Sequence, residues 1–217
     1  LGYRVGVSYD GCADLQDLQR RAKNGKAVSS KILNNIIQTN REIGTISVLT
    51  KNSFGKEEEI YSNIKKLSGF ARLNFYAPTG EGILKIDSLL PTSNEAKQML
   101  IRFYQIWKRD KEKFQLNPFY DVTRSFFTGI HITCEFSAYQ CYRILGADTD
   151  GGIFNCSRAT HIPEMKIGDI SSDKLEEIVG NEAHQKILDR YFDLKDEDCN
   201  KCRWFSLCSG GCPIEAY

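Results

Sequence analysis

CNKCRWFSLCSGGC, from Cys199 to Cys212, sets four thiols within fourteen residues, separated by two, five and three positions. No other stretch of the chain concentrates ligand chemistry so tightly. A Cys-x-x-Cys pair turns two sulfurs toward one ion or cluster. It leaves N–H groups of the intervening turn free to bond the thiolates, which lowers their pKa. Gly210 and Gly211 suit the same role, because a backbone without Cβ passes close to a bulky ligand and accepts positive φ.

Upstream, Cys141 and Cys156 enclose YRILGADTDGGIFN, two β-prone arms around ADTDGG. That composition predicts a hairpin with its turn near Thr149, where Asp148 and Asp150 read as turn residues. Because the turn lies at the midpoint, pairing the arms brings Cys141 and Cys156 beside each other. Cys134, seven residues earlier, offers a third thiol. Taken alone, Cys199 to Cys212 would also suit a zinc knuckle, since its spacing fits tetrahedral thiolate coordination. Residues 134–212 hold seven cysteines, however, and a single zinc needs only about four. The full set therefore favours iron and sulfide. Cys12 belongs to no such pattern and reads as a structural thiol. His131, His161 and His184 fall in no ligand pattern and read as surface or packing residues.

The composition of the 217 residues is ordinary: 41% hydrophobic, 26% charged, formal charge +1. One or two domains are expected, with no charge excess that would draw nucleic acid or an anionic membrane as a partner. No apolar run approaches the roughly 18 residues of a membrane span and no signal peptide opens the chain, so the cytoplasm is the expected compartment. Eight cysteines in a secreted protein would suggest disulfides, but their clustering in a chain of this size reads as ligands in a reducing compartment. The start at Leu1 rather than Met marks the chain, in this reading, as a piece of something longer.

Residues 4–9, RVGVSY, read as a buried strand, followed by a polar loop from Asp10 to about Ser30. Ser29 or Ser30 then caps a helix with an apolar stripe of Ile32, Leu33, Ile36 and Ile37. A strand over Ile46 to Thr50 precedes a helix capped by Asn52 or Ser53 and running through Leu67, with Ile60, Ile64 and Leu67 on one face. ARLNFYA forms a third strand. Thr92 with Glu95 makes a capping box before a long helix that turns Met99, Leu100, Phe103, Ile106 and Trp107 inward. Alternating strands and helices imply parallel strands, hence an open α/β sheet or part of a barrel, since three such units cannot close one. Ligands bind such sheets beyond the carboxyl ends of the strands. This nominates Ser8 to Gly11, with Cys12 beside them, Thr50 to Ser53, and Ala77 to Gly82 as the lip of a site. After about residue 110 the pattern breaks and a second module begins. The run Lys195 to Asp198 reads as a solvated approach to the final loop.

Cys141, nine residues, Gly151, four residues, Cys156, then a gap to Cys199, Cys202, Cys208 and Cys212 resembles the SPASM domain of radical SAM enzymes. The upstream part is similar to the second half of the radical SAM partial barrel, through SYDG at Ser8 to Gly11, Arg20, and PTG beginning at Pro78. The resemblance implies an α/β chain: the C-terminal half of a partial (β/α) barrel over residues 1–125, then a small cysteine-rich SPASM domain with a β-hairpin over residues 126–217. It implies two auxiliary 4Fe-4S clusters. Cys134, Cys141, Cys156 and Cys212 would hold the first. Cys199, Cys202 and Cys208 would hold the second, whose fourth ligand in the family comes further along.

Ser8 and Arg20 match family positions that contact the methionyl end of S-adenosylmethionine, and a fork-shaped guanidinium suits a carboxylate. The plainer reading is a strand-end cap and a surface salt bridge. Asn74 and Thr79 are weaker candidates. The CxxxCxxC motif that carries the radical SAM cluster in the family is absent from the sequence, so the chain alone is expected to be inert.

The resemblance implies an enzyme that modifies a ribosomally made peptide or protein by crosslinking or another radical oxidation, served by a reductant such as a flavodoxin or ferredoxin. Anaerobic sulfatase maturases, which make formylglycine, place an Asp just after the third cysteine of the first cluster, where it resembles a general base. Here that residue is Ser157, a poor base near neutral pH, which disfavours formylglycine chemistry. A non-catalytic iron-sulfur module for recognition or electron transfer is the alternative from outside enzymology.

Overall fold

The computed structural model describes residues 5–39, 43–78, 80–112, 114–137, 140–196 and 199–216. They fall into two compact units, Leu1–Tyr120 and Asp121–Tyr217. The first is built on a four-stranded sheet of β1 (Gly6–Ser8), β2 (Gly44–Leu49), β3 (Phe70–Phe75) and β4 (Gln115–Asn117). The strands lie in sequence order and every pairing is parallel, with Ser8 opposite Ile46, Leu49 opposite Phe75, and Arg72 opposite Asn117. Parallel neighbours need long return connections. These hold α1 (Ala13–Gln19), α2 (Ser29–Thr39), α3 (Glu57–Leu67), the short α4 (Ile86–Leu89) and α5 (Ser93–Arg109). α6 (Phe119–Thr128) begins where the first unit ends and carries the aromatic run FYDVTRSFF.

One core serves this sheet. Ile60 and Ile64 of α3 and Met99 and Phe103 of α5 are fully buried, and they join Leu49, Leu73 and Leu116 from the strands. The helical spacing of these apolar residues put them on one face, as read from the sequence. The capping box at the start of α5 forms as its residues predict. Glu95 N–H donates to Thr92 Oγ1 at 3.2 Å, and Thr92 N–H donates to Glu95 Oε2 at 2.8 Å.

Several expectations are corrected. The first strand is not buried: β1 pairs only with β2, and Val5, Gly6 and Ser8 are exposed, so burial begins at Tyr9. Arg4 lies outside the described residues. The supposed loop from Asp10 to Ser30 holds α1, whose polar sequence hides it. Its Asp17 accepts hydrogen bonds from Val28 N–H, Ser29 N–H and Ser29 Oγ, fixing the start of α2. Ile37 is exposed instead of joining the apolar stripe, because the face of α2 turns past it after Ile36. Thr50, not Asn52 or Ser53, is the cap that forms after β2. It closes a 3-10 turn over Lys51–Ser53, and α3 starts later, at Glu57. The parallel pattern does not end at residue 110 either, since β4 adds a fourth strand through a single buried side chain, Leu116.

In the second unit the hairpin forms where ADTDGG places it. β5 (Gly146–Ala147) pairs antiparallel with β6 (Gly152–Phe154). Asp148 Oδ1 accepts from Asp150 N–H and Gly152 N–H, which makes the turn. An unanticipated third strand, β7 (Lys166–Asp169), pairs with β6. Two further unanticipated helices follow: α7 (Leu175–Val179), which buries Ile178, and α8 (Glu182–Asp196), which buries His184 and Leu188. Short α9 (Phe205–Cys208) and α10 (Pro213–Ala216) frame the terminal cysteines. No helix of the described residues is long and apolar enough to cross a membrane.

Candidate iron-sulfur site and strand-end lip

The seven cysteines of the second unit are positioned by turns. Cys134 opens a 3-10 turn over Cys134–Phe136, Cys141 sits in another over Gln140–Arg143, and Cys156 precedes a third over Ser157–Ala159. Cys156 follows β6 by one residue, so the β5–β6 pairing sets its position. Cys212 comes after three consecutive residues in the left-handed region, Ser209, Gly210 and Gly211 at φ 53°, 82° and 73°. Gly210 has no room for a side chain, since a Cβ there would lie 2.5 Å from Leu194 Cδ1.

Cys134, Cys156 and Cys212 each lie within electrostatic reach of Cys141. The Cys141 thiol is pushed up to about 11, chiefly by burial and then by the neighbouring Cys212, Cys134 and Cys156, while Arg190 opposes them. Burial likewise raises the Cys212 thiol, with Cys156 and Glu135 adding to the rise and the Ile214 backbone and Arg158 countering it. No group of three or more His, Cys, Asp or Glu among the described residues is arranged to hold a metal ion. The quartet is therefore defined by mutual electrostatic reach rather than by a closed coordination sphere.

The donor chemistry fits a four-iron cluster. Without metal, burial and neighbouring thiols favour the protonated forms of Cys141 and Cys212, whereas ligation to a cationic core stabilises thiolates and releases protons. Arg158 and Arg190 supply compensating charge beside them.

Cys199, Cys202 and Cys208 are placed by backbone turns. Cys202 N–H donates to Cys199 O at 3.0 Å, and Cys208 N–H donates to Trp204 O at 2.8 Å. Gly211 N–H donates to Cys208 O at 3.0 Å, which turns the chain back toward Cys212. α9, which ends at Cys208, packs against the turn that begins at Cys134. Cys202 is exposed, and Cys199 and Cys208 are half-buried. The grouping of this trio rests on spacing and resemblance.

In the first unit the carboxyl ends of the strands carry a polar network that the sequence did not reveal. Asp10 is buried. Its Oδ2 accepts from Arg20 Nε at 3.0 Å, its Oδ1 from Val48 N–H at 2.9 Å, and its own N–H donates to Gln16 Oε1 at 2.8 Å. Arg20 thus has an internal partner. Its Nη2 also reaches Asp10 Oδ1 at 3.4 Å, and the side chain stays 36% exposed. Ser8 is exposed at the end of β1. Thr50 and Ser53 satisfy each other in a buried turn. Asn74 Oδ1 accepts from Arg72 Nε at 3.0 Å. Thr79 lies outside the described residues.

Of the remaining candidates, Cys12 is 1% exposed and sits in the core, where burial and the Glu59 carboxylate push its thiol up to about 12. His184 is buried with its Nδ1 2.6 Å from Asn155 Oδ1, and burial lowers its pKa. His131 is half-buried and His161 exposed. Lys195 and Asp196 end α8 in solvent, and Glu197 and Asp198 lie outside the described residues. Arg158, Arg190 and Asn155 are the residues that sequence reasoning missed. That reasoning places Asp10 on the lip between Ser8 and Gly11 without its partners, and reads His184 as a surface or packing residue.

Residues 130–203 match the SPASM iron-sulfur cluster-binding domain. A cysteine-type anaerobic sulfatase-maturating enzyme of Clostridium novyi (strain NT) is 26% identical over 220 residues, covering 97% of this chain and 57% of that protein. A serine-type anaerobic sulfatase-maturating enzyme of Klebsiella aerogenes is 22% identical, covering 98% of this chain and 52% of that protein. The chain thus spans little more than half the length of these relatives. Among solved structures, native anSMEcpe with bound AdoMet and Cp18Cys peptide superposes with a TM-score of 0.75 at 18% identity, covering 97% of this chain and 59% of that one. The fold of this chain is therefore found in a solved structure. Over residues 130–203 the chain thus matches an iron-sulfur cluster-binding SPASM domain, and over nearly its whole length it is similar to anaerobic sulfatase-maturating enzymes.

Proposed function

We propose that the chain serves as part of a radical SAM/SPASM enzyme that oxidatively modifies a peptide or protein. Residues 1–125 would form the C-terminal half of its partial barrel and residues 126–217 its SPASM domain. The observation that supports the reading is that Cys134, Cys156 and Cys212 lie within electrostatic reach of Cys141, the first two and Cys141 itself inside the residues 130–203 that match the SPASM domain. These four would hold one 4Fe-4S cluster, and Cys199, Cys202 and Cys208 three positions of a second.

S-adenosylmethionine, when bound, supplies the radical chemistry of this enzyme class. The chain's own part is to bind and orient. Ser8 offers a hydroxyl at the strand-end lip. Arg20, aligned by the buried Asp10 carboxylate, offers the outer edge of its guanidinium to a ligand carboxylate. A flavodoxin or ferredoxin would supply electrons, and the cytoplasm would be the compartment.

Formylglycine formation is the second reading, favoured by the names of the sulfatase-maturating relatives. Against it stands Ser157, exposed directly after Cys156, whose neutral hydroxyl is a poor proton acceptor. The test is to express the chain with a CxxxCxxC-bearing barrel half, purify it anaerobically, and supply S-adenosylmethionine, reductant and peptides. Loss of a pair of hydrogens from a peptide, with an internal crosslink mapped by fragmentation, supports the first reading. An aldehyde-bearing product from a sulfatase-type peptide establishes the second. A protein that loads iron and sulfide yet cleaves no S-adenosylmethionine would indicate a recognition or electron-transfer module.

A further inference from the structure

Helix α8 touches the surroundings of three of the four quartet cysteines. Arg190 Nη2 donates to Gly210 O at 2.9 Å and its Nη1 donates to Gly211 O at 3.3 Å, immediately before Cys212. Six residues earlier, buried His184 holds Asn155, the residue before Cys156, through the 2.6 Å contact of Nδ1 with Asn155 Oδ1. α8 also packs against the turn Gln140–Arg143 that carries Cys141.

The Arg190 contact is specific. Gly210 and Gly211 both lie in the left-handed region, a Cβ on Gly210 would crowd Leu194 and the Arg190 guanidinium, and only a forked donor reaches both carbonyls at once. We infer that α8 is the brace of the first cluster site, with Arg190 and His184 acting as positioning residues that fix Cys212 and Cys156 before the cluster is built. Arg190 has a second effect through its charge. Its guanidinium lies against the carbonyls of the two residues that precede Cys212, and a cation beside a cluster favours the reduced, more negative state.

This inference rests on the cluster assignment, and its test separates the two. Anaerobically purified wild-type protein is compared with Arg190→Gln, Arg190→Lys, His184→Gln, Leu188→Ala and Lys186→Ala. The readouts are iron and sulfide content, the rate of iron release to a chelator, and the EPR-monitored midpoint potential. Arg190→Gln and His184→Gln should retain the first cluster roughly tenfold less well, in line with the usual cost of losing a group that supports metal ligands. Arg190→Gln should also shift the midpoint to more negative potential, and Arg190→Lys should restore the potential while retaining iron poorly. Lys186→Ala, which removes only an exposed ion pair with Glu182, should behave as wild type. Wild-type release rates and potentials in both anchor variants overturn the inference. Leu188→Ala, which removes a buried α8 side chain and neither anchor, should lose less iron than the anchor variants, and equal loss overturns the assignment of the bracing to Arg190 and His184. Wild-type protein that binds zinc or no iron would instead refute the cluster assignment.

Discussion

Arg20 Nε donates to Asp10 Oδ2 at 3.0 Å, and the Asp10 side chain is completely buried while that of Arg20 is 36% exposed. A buried carboxylate at the carboxyl end of a parallel strand thus has a cation held beside it. Arg20→Ala leaves that charge unpaired and should destabilise the protein by about 2 kcal/mol, less than for a fully buried pair because Arg20 is partly solvated. Adding Asp10→Asn should recover part of the loss. Denaturant melts of the single and double variants give the coupling directly, and additive effects would show that the pair contributes nothing.

Thr92 caps the longest helix, α5, and exchanges hydrogen bonds with Glu95 at 3.2 and 2.8 Å. Thr92→Ala should cost about 1 kcal/mol, and Thr92→Ser should retain most of it. Iron content should not change in either variant, since the cap lies in the first unit. A chemical denaturation midpoint measures the first effect and an iron assay the second.

Cys12 should resist alkylation. Its thiol is buried and pushed up to about 12, so the reactive thiolate is scarce near neutral pH. Native protein treated with iodoacetamide and digested for mass spectrometry should show Cys12 unmodified, with labelling only after unfolding.

His184 predicts a pH dependence. Its pKa is lowered in the folded state by burial, so as pH falls through the unfolded value of about 6.5 the unfolded chain gains a proton that the folded chain refuses. Stability from this group is present above that pH and declines below it. The melting temperature of wild type should fall more than that of His184→Gln between about pH 7.5 and about pH 6. Parallel curves for the two proteins would contradict the assignment.

The legibility of the chain followed how strongly each element writes itself into sequence. The Thr92–Glu95 capping box and the Asp148 turn are local, so their residues announced them before any packing was known. The faces of α3 and α5 were readable because Ile60, Ile64, Met99 and Phe103 recur at helical spacing. β4 was not, since a three-residue strand with one core side chain, Leu116, has no period. α1 hid in polar sequence and is anchored mainly by Leu15 and the Asp10–Gln16 contact. In the site, the cysteines were legible from spacing. The groups around them were not: Arg190 meets Gly210 across twenty residues and His184 meets Asn155 across twenty-nine. Such partners are chosen by tertiary packing.

The central claim is that Cys134, Cys141, Cys156 and Cys212 hold one iron-sulfur cluster. The direct measurement is iron and sulfide per chain, with EPR of the reduced protein, for wild type and Cys156→Ala purified anaerobically. Wild type should be brown and carry acid-labile sulfide, and Cys156→Ala should lose up to about four irons and one reduced-cluster signal while the protein stays folded. Colourless wild type with stoichiometric zinc, or Cys156→Ala with iron and spectra identical to wild type, would contradict it.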